Sequence, residues 1–218
     1  MGNRAVTEVR HDTSVQDDAA LDLVFVVRAV SGASLPADHR HALREAIVRA
    51  LPWFEGEATA AIHPLKSAHT AAGAVLLSAR TRLVLRVPAE REAAATQLCG
   101  QLLALDGGTL AVGEMTIRPL LGHGTVYAHL VTGDIDDELA FTAAMRDELE
   151  LLGIRGEVIC GRRQTIGSGD RQLCGYSVMV HGLAREHSLQ LQARGTGGDM
   201  KLGCGVFVPH KSAAAVGA

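Results

Sequence analysis

Residues 194–205, "RGTGGDMKLGCG", set five glycines around a single lysine, Lys201, with Arg194 and Lys211 flanking the run. Glycine loses more freedom on ordering than any other residue, so such a cluster has a backbone reason. A dinucleotide fingerprint needs GxGxxG opening a helix after a strand. Counted from Gly195, the third glycine would fall at Met200, and the run follows a helical pattern instead of opening one. A Walker-type loop needs Gly-Lys-Ser/Thr, but Gly203 is followed by Cys204 and Gly205. A third reading is a helix-to-strand loop. The bare amides of Gly195, Gly197, Gly198, Gly203 and Gly205 would wrap an anionic backbone closely, with Lys201 as a point charge among them. Against it stands a helix C-cap at Gly195 followed by a bulged edge strand.

The charge distribution fits an anion-facing surface on a nearly neutral body. The formal net charge of −3 argues against nonspecific coating of nucleic acid. Between Asp134 and Glu150 seven acids face Arg146 alone. From Arg155 to Lys211 eight bases stand against four acids, a local excess of 8 − 4 = +4. Scattered solvated charges would give the same tally. The lysines are Lys66, Lys201 and Lys211, so the cations are nearly all arginine, whose planar fork suits phosphate, base edges and ordinary ion pairs alike.

Cys99, Cys160, Cys174 and Cys204 include no CxxC pair, and they read as reduced thiols in a cytoplasmic protein. His63 and His69 are too loosely placed to argue for a metal site, and no cofactor is expected. The polar N-terminus lacks the apolar core of a signal peptide, and no run is long enough to span a membrane.

Two halves carry one pattern of elements. After a disordered tail over 1–20, "LDLVFVVR" reads as a strand and "ADHRHALREAIVRAL" as an amphipathic helix with Leu43, Ala46, Ile47, Ala50 and Leu51 on one face. A loop from Pro52 to His69 leads to the strands "AVLLS" and "TRLVLRVP". The helix "AEREAAATQLCGQLL" and the strand "GTLAVGEMTIRPL" follow. The second half repeats this order. "GTVYAHLVT" is a strand, "DIDDELAFTAAMRDELELL" a helix, and "RGEVICGRRQTI" with "QLCGYSVMV" a hairpin across "GSGD". The short helix "AREHSLQLQAR" and the strand "GVFVP" complete it. Two tandem βαββαβ units predict an α+β protein of two ferredoxin-like domains, 21–121 and 124–211, with a flexible tail over 212–218. That fold also serves base-stacking RNA-binding domains. Aromatics are only 3% of this chain, and Phe25 and Phe207 read as core, so base stacking on an open sheet is disfavoured.

"GDMKLGCGVFVPHK" resembles the C-terminal glycine-rich signature of the CRISPR-associated endoribonucleases that cut precursor CRISPR RNA at its repeats, in the branch called the MYXAN subtype. "VFVVRAVSGASLPADHRHALREAIVRALPW", "AIHPL", "LLSARTRLVLRVP", "VGEMTIRPL", "CGRRQTI", "GYSVMVHGL" and "SLQLQARG" continue the likeness over about residues 21 to 211. The resemblance implies a metal-independent cut. A ribose 2′-hydroxyl attacks the adjacent phosphate and leaves a 2′,3′-cyclic phosphate and a 5′-hydroxyl. It also implies CRISPR repeat RNA as the partner, other effector-complex subunits as further partners, and no membrane. Rival readings are a repeat-binding subunit that does not cut, and a small-molecule regulator on the same fold.

For the site, the resemblance implies a catalytic histidine near the first helix, which points to His39, with His41, His63 and His210 as alternatives. Read from the residues alone, His39 is an inward helix-start residue bonded to a partner, while His41 points about 200° away. The glycine amides, Lys201, Arg194 and Lys211 would hold phosphates. Arg162 and Arg163, just before the hairpin turn, would enter an RNA groove. Arg80, Arg82 and Arg86 alternate along one strand, as RNA ligands or as a solvated face.

Overall fold

The computed structural model describes residues 20–31, 34–66, 68, 69 and 74–210. Residues 1–19 of the expected N-terminal tail, the expected C-terminal tail and Lys211 lie outside these residues, while Ala20, expected in the tail, opens the first strand. The first half runs β1 (Ala20–Ser31), β2 (Ser34–Leu35), α1 (Arg40–Ala50), α2 (Trp53–Gly56), β3 (Ala61–Ile62), β4 (Ala68–His69), β5 (Val75–Leu76), β6 (Arg82–Pro88), α3 (Glu92–Ala95), β7 (Leu102–Leu105) and β8 (Gly108–Pro119). The second comprises β9 (Thr125–Thr132), α4 (Glu138–Leu151), β10 (Glu157–Ser168), β11 (Arg171–His181), α5 (Arg185–Arg194) and β12 (Val208–Pro209).

The sheet orders are β3-β6-β1-β8-β7 and β10-β11-β9-β12, with antiparallel pairing throughout. Each half places its first strand in the middle, between the third and fourth strands of the βαββαβ unit, with the second strand outside the third. The protein is thus two tandem ferredoxin-like folds. β1 earns its central place by composition: Leu23, Phe25 and Val27 alternate inward onto α1, whose Leu43, Ala46 and Ile47 cover them. Burying each large side chain stabilises by roughly 1.5–3 kcal/mol. Phe141, Met145 and Leu149 of α4 cover the second sheet in the same way.

Three element assignments differ from the sequence reading. The outer second strand of the first sheet is β3, inside the segment expected as loop; "AVLLS" contributes β5 to a separate β2-β5-β4 sheet. Ala60, Ala61, Ile62 and His63 are all buried, so the period-2 alternation that marks a half-exposed strand is absent there. The expected helix 89–103 is a chain of single turns ending at Leu98, and Leu102 and Leu103 enter β7 instead. The two-residue Asp106–Gly107 turn, with Gly107 at φ +85°, folds β7 back on β8. The last strand is confined to Val208–Pro209 against Val126 and Tyr127, while Gly205, Val206 and Phe207 are buried without pairing as a strand.

A buried ionic network ties the halves together. Arg86 donates from Nε to Asp22 Oδ1 at 2.8 Å and from Nη1 to the carbonyls of Gln192 and Phe207, both at 2.7 Å. Arg118 and His63 complete the shell of Asp22, at 2.9 and 3.0 Å.

Candidate functional site

The glycine run divides into two groups. Gly195, Gly203 and Gly205 are buried, and their amides donate to the carbonyls of Leu191, Met200 and Leu130. All three have positive φ, and a Cβ on Gly205 would collide with the Thr196 carbonyl. These glycines serve loop closure. Gly197 and Gly198 are exposed and line an open cleft of about 400 Å³. The Gly197 amide already donates to the Glu148 carboxylate at 3.3 Å, which shows that it can be reached by an anion.

The cleft is built by both halves. α1 supplies His41 and Arg44, the hairpin tip supplies Ser168 and Arg171, and the loop supplies Gly197 to Leu202. Lys201 spans the junction, its Nζ donating to the Glu55 carbonyl at 2.6 Å, while Arg44 pairs with the Glu55 carboxylate. Arg171 pairs with Asp199 at 3.4 Å. Arg40, beside the cleft, donates to the Leu202 carbonyl at 2.8 Å and so pins the loop to the start of α1. Four potential cations (His41, Arg44, Arg171 and Lys201) therefore face one cavity with two exposed glycines. This arrangement can hold a phosphodiester and exchange a proton beside it.

The four candidate histidines separate clearly. His39 is 7% exposed, with Nδ1 2.8 Å from the Pro36 carbonyl, and lines a crevice of only about 10 Å³. His63 is buried on Asp22, and burial pushes its pKa down. His210 packs against Tyr127 with the rings tilted, at 5.4 Å between ring centroids. His41 is half-exposed and lines the large cleft.

Arg162 and Arg163 lie within β10, ahead of the hairpin turn. The register shifts between Cys160 and Arg163, a bulge that leaves Arg162 exposed; Arg163 pairs with Asp136. Arg194 is exposed at the end of α5. Of the arginines on β6 and the turn before it, Arg80 and Arg82 line a second cleft of about 380 Å³ with Lys66 and Arg118. Arg86 is buried and fully engaged, so neither expectation for it holds. Sequence reading missed Arg40, Arg44 and Arg171. Their signal was present: Arg40, His41 and Arg44 follow one another on the first turns of a helix, and Arg171 ends the "GSGD" turn.

A profile of the family described as Cas6 Crispr matches residues 21–212. The chain belongs to the Cas6 family. It is 32% identical over 197 residues to the CRISPR-associated endonuclease Cas6 of Myxococcus xanthus, covering 90% of this chain and 84% of that protein. Among solved structures, a CRISPR associated protein Cas6 superposes with a TM-score of 0.65 at 12% identity, covering 88% of this chain and 100% of that one. A Cas6-related protein from Pyrococcus furiosus gives 0.62 at 13% identity, over 87% and 98% of the two chains. At such identities the likeness carries the fold, and the Cas6 fold is the tandem pair of sheets described above. Among the described residues no helix is long and apolar enough to cross a membrane, and no three His, Cys, Asp or Glu side chains are grouped to hold a metal ion.

Proposed function

We propose that this Cas6 protein binds CRISPR repeat RNA and cuts precursor CRISPR RNA without a metal ion, through 2′-hydroxyl attack. The observation that carries the reading is the meeting of His41, Arg44, Arg171, Lys201, Gly197 and Gly198 in one cleft of a Cas6 chain. His41 takes the proton from the 2′-hydroxyl as O2′ bonds to phosphorus. The P–O5′ bond breaks, and the departing 5′ oxygen is protonated by solvent. Lys201 and Arg44 balance the charge that grows on the phosphorane, and Gly197 and Gly198 let the RNA backbone approach closely. The proton-handling role passes from His39 to His41 because His39 is buried beside a crevice too small for a nucleotide. Along the RNA, Arg162, Arg163 and Arg194 remain candidate backbone contacts, and Lys66, Arg80 and Arg82 offer a second cationic surface.

End-labelled cognate repeat RNA, incubated in EDTA with wild type, His39→Ala and His41→Ala, tests the proposal. One cut leaving a cyclic phosphate, lost with His41→Ala while binding persists, is the expected result. Cutting that needs added divalent metal would overturn the metal-independent step. Tight binding with no cut by wild type would leave a repeat-holding subunit, the rival reading.

A further inference from the structure

Asp199 is an acid in a cleft that otherwise suits a phosphodiester. Among the described residues lining the cleft it is the one carboxylate, beside Arg44, Arg171 and Lys201. It is also the one non-glycine among the described residues with a left-handed backbone, at φ +62° and ψ +29°. Its carbonyl accepts the amides of Leu202 at 2.8 Å and Cys204 at 3.2 Å, which fixes the backbone beneath the side chain. Glycine or asparagine would meet that conformation as well, with no charge. The hydrogen bond from Arg171, 3.4 Å between side chains 67% and 21% exposed, is too open to solvent to add much stability. Neither the backbone nor stability accounts for the charge.

Phosphate oxygens and a carboxylate both only accept, so Asp199 repels an RNA backbone at its end of the cleft. A base edge behaves differently. The Watson–Crick edge of each base sets an N–H donor beside a ring nitrogen or carbonyl oxygen that accepts. Asp199 and Arg171 present the matching order, an acceptor beside a donor. Oδ1 accepts from Nη1, which leaves Oδ2 for a base N–H and further guanidinium N–H groups for the neighbouring acceptor. We infer that Asp199 is a specificity-determining residue: with Arg171 it reads the Watson–Crick edge of one unpaired base, while Lys201 and Arg44 take the phosphate. The cleft volume of about 400 Å³ suits a ligand of nucleotide size. The inference rests on this cleft being the RNA site, as proposed above.

The test measures Kd of wild type, Asp199→Asn and Arg171→Ala for repeat RNAs changed one base at a time, each made uncleavable by a 2′-deoxyribose at the mapped cut. Asparagine keeps the left-handed backbone, and the melting midpoint of each variant checks the fold. At one position wild type should prefer one base by roughly 5–150-fold, the span expected for a good paired contact to a base edge. Both variants should lose that preference there and nowhere else. Lys201→Ala should instead weaken all the RNAs alike. An Asp199→Asn protein that shifts every RNA by one common factor, tighter or weaker, would overturn the inference. So would loss of preference at different positions in the two variants. Wild-type affinity in Lys201→Ala would sink the reading of the cleft as the RNA site, and this inference with it.

Discussion

Replacing Arg86 by methionine should cost more stability than any other single change between the two halves. Arg86 is 1% exposed and makes two bonds to Asp22 (2.8 and 3.3 Å) and two to carbonyls of the second half. Methionine fills much of the same volume, so the loss is electrostatic and polar more than a cavity. It leaves Asp22 buried with His63 and Arg118 alone and strands two buried carbonyls. Removing one partner of a buried ion pair costs about 3–5 kcal/mol. In a chain of this size each kcal/mol moves the melting midpoint by about 2–4 °C, so the expected drop is roughly 6–20 °C. Differential scanning calorimetry at pH 7 reads it directly. The double variant Arg86→Met with Asp22→Asn should recover part of the loss, since no unpaired charge remains inside. A drop below about 2 °C, or a double variant whose losses simply add, would refute the argument that this network holds the halves together.

Stability should fall as pH drops from 7 to 5, followed by urea midpoints. Burial pushes the His63 pKa down, so the unfolded chain takes up protons below about 6.5 that the folded one refuses. A further loss should appear below about pH 4: burial would raise the Asp22 carboxyl, but the hydrogen bond and charge of His63, with Arg86, outweigh it and hold it well below the usual carboxylate range. Gly205→Ala should fold poorly or not at all, because φ +65° and the Thr196 carbonyl exclude a Cβ, whereas Gly198→Ala, with nothing nearer than 3.8 Å, should keep the wild-type melting midpoint. In the native protein a thiol reagent at pH 8 should label exposed Cys99 quickly and spare Cys204, whose pKa burial pushes up to about 11. Lys201→Ala should weaken repeat binding and reduce the slope of log Kd against log salt by about one.

The repeat of elements was legible because long amphipathic segments such as α1 and α4 state their own period. β3 was not: two residues buried on both faces carry no alternation, and their place is decided by pairing with Arg86 and Leu85 on β6. The β7–β8 hairpin could have been read, since Asp106-Gly107 between apolar runs is a strong turn signal, but the alanine-rich stretch before it suggested a longer helix. The glycine run was legible as a loop with a backbone purpose. Its division was not, because whether a glycine faces solvent or a carbonyl depends on contacts with β9, α1 and the loop itself. The inward turn of His39 followed from helical spacing; that the neighbouring His41 meets a cleft depends on the hairpin of the other half.

That dependence has a consequence for how the cleft keeps its shape. One wall, α1, belongs to the first half, and the hairpin tip and glycine loop belong to the second. Three cations make polar contacts across the seam: Arg86 to Gln192 and Phe207 on the sheet side, and, near the cleft, Arg40 to Leu202 at the start of α1 and Lys201 to Glu55 at α2. Arg86 holds one place on the seam, and the adjacent residues Lys201 and Leu202 hold a second. The cleft is therefore held at two places, and the buried glycines make the second possible by letting residues 195–205 fold tightly enough to carry Lys201 to α2 and Leu202 to α1. The same logic explains why Lys201 spends a hydrogen bond on Glu55: a lysine fixed at its tip presents its charge to the cleft without the rotamer freedom that would otherwise be lost on binding.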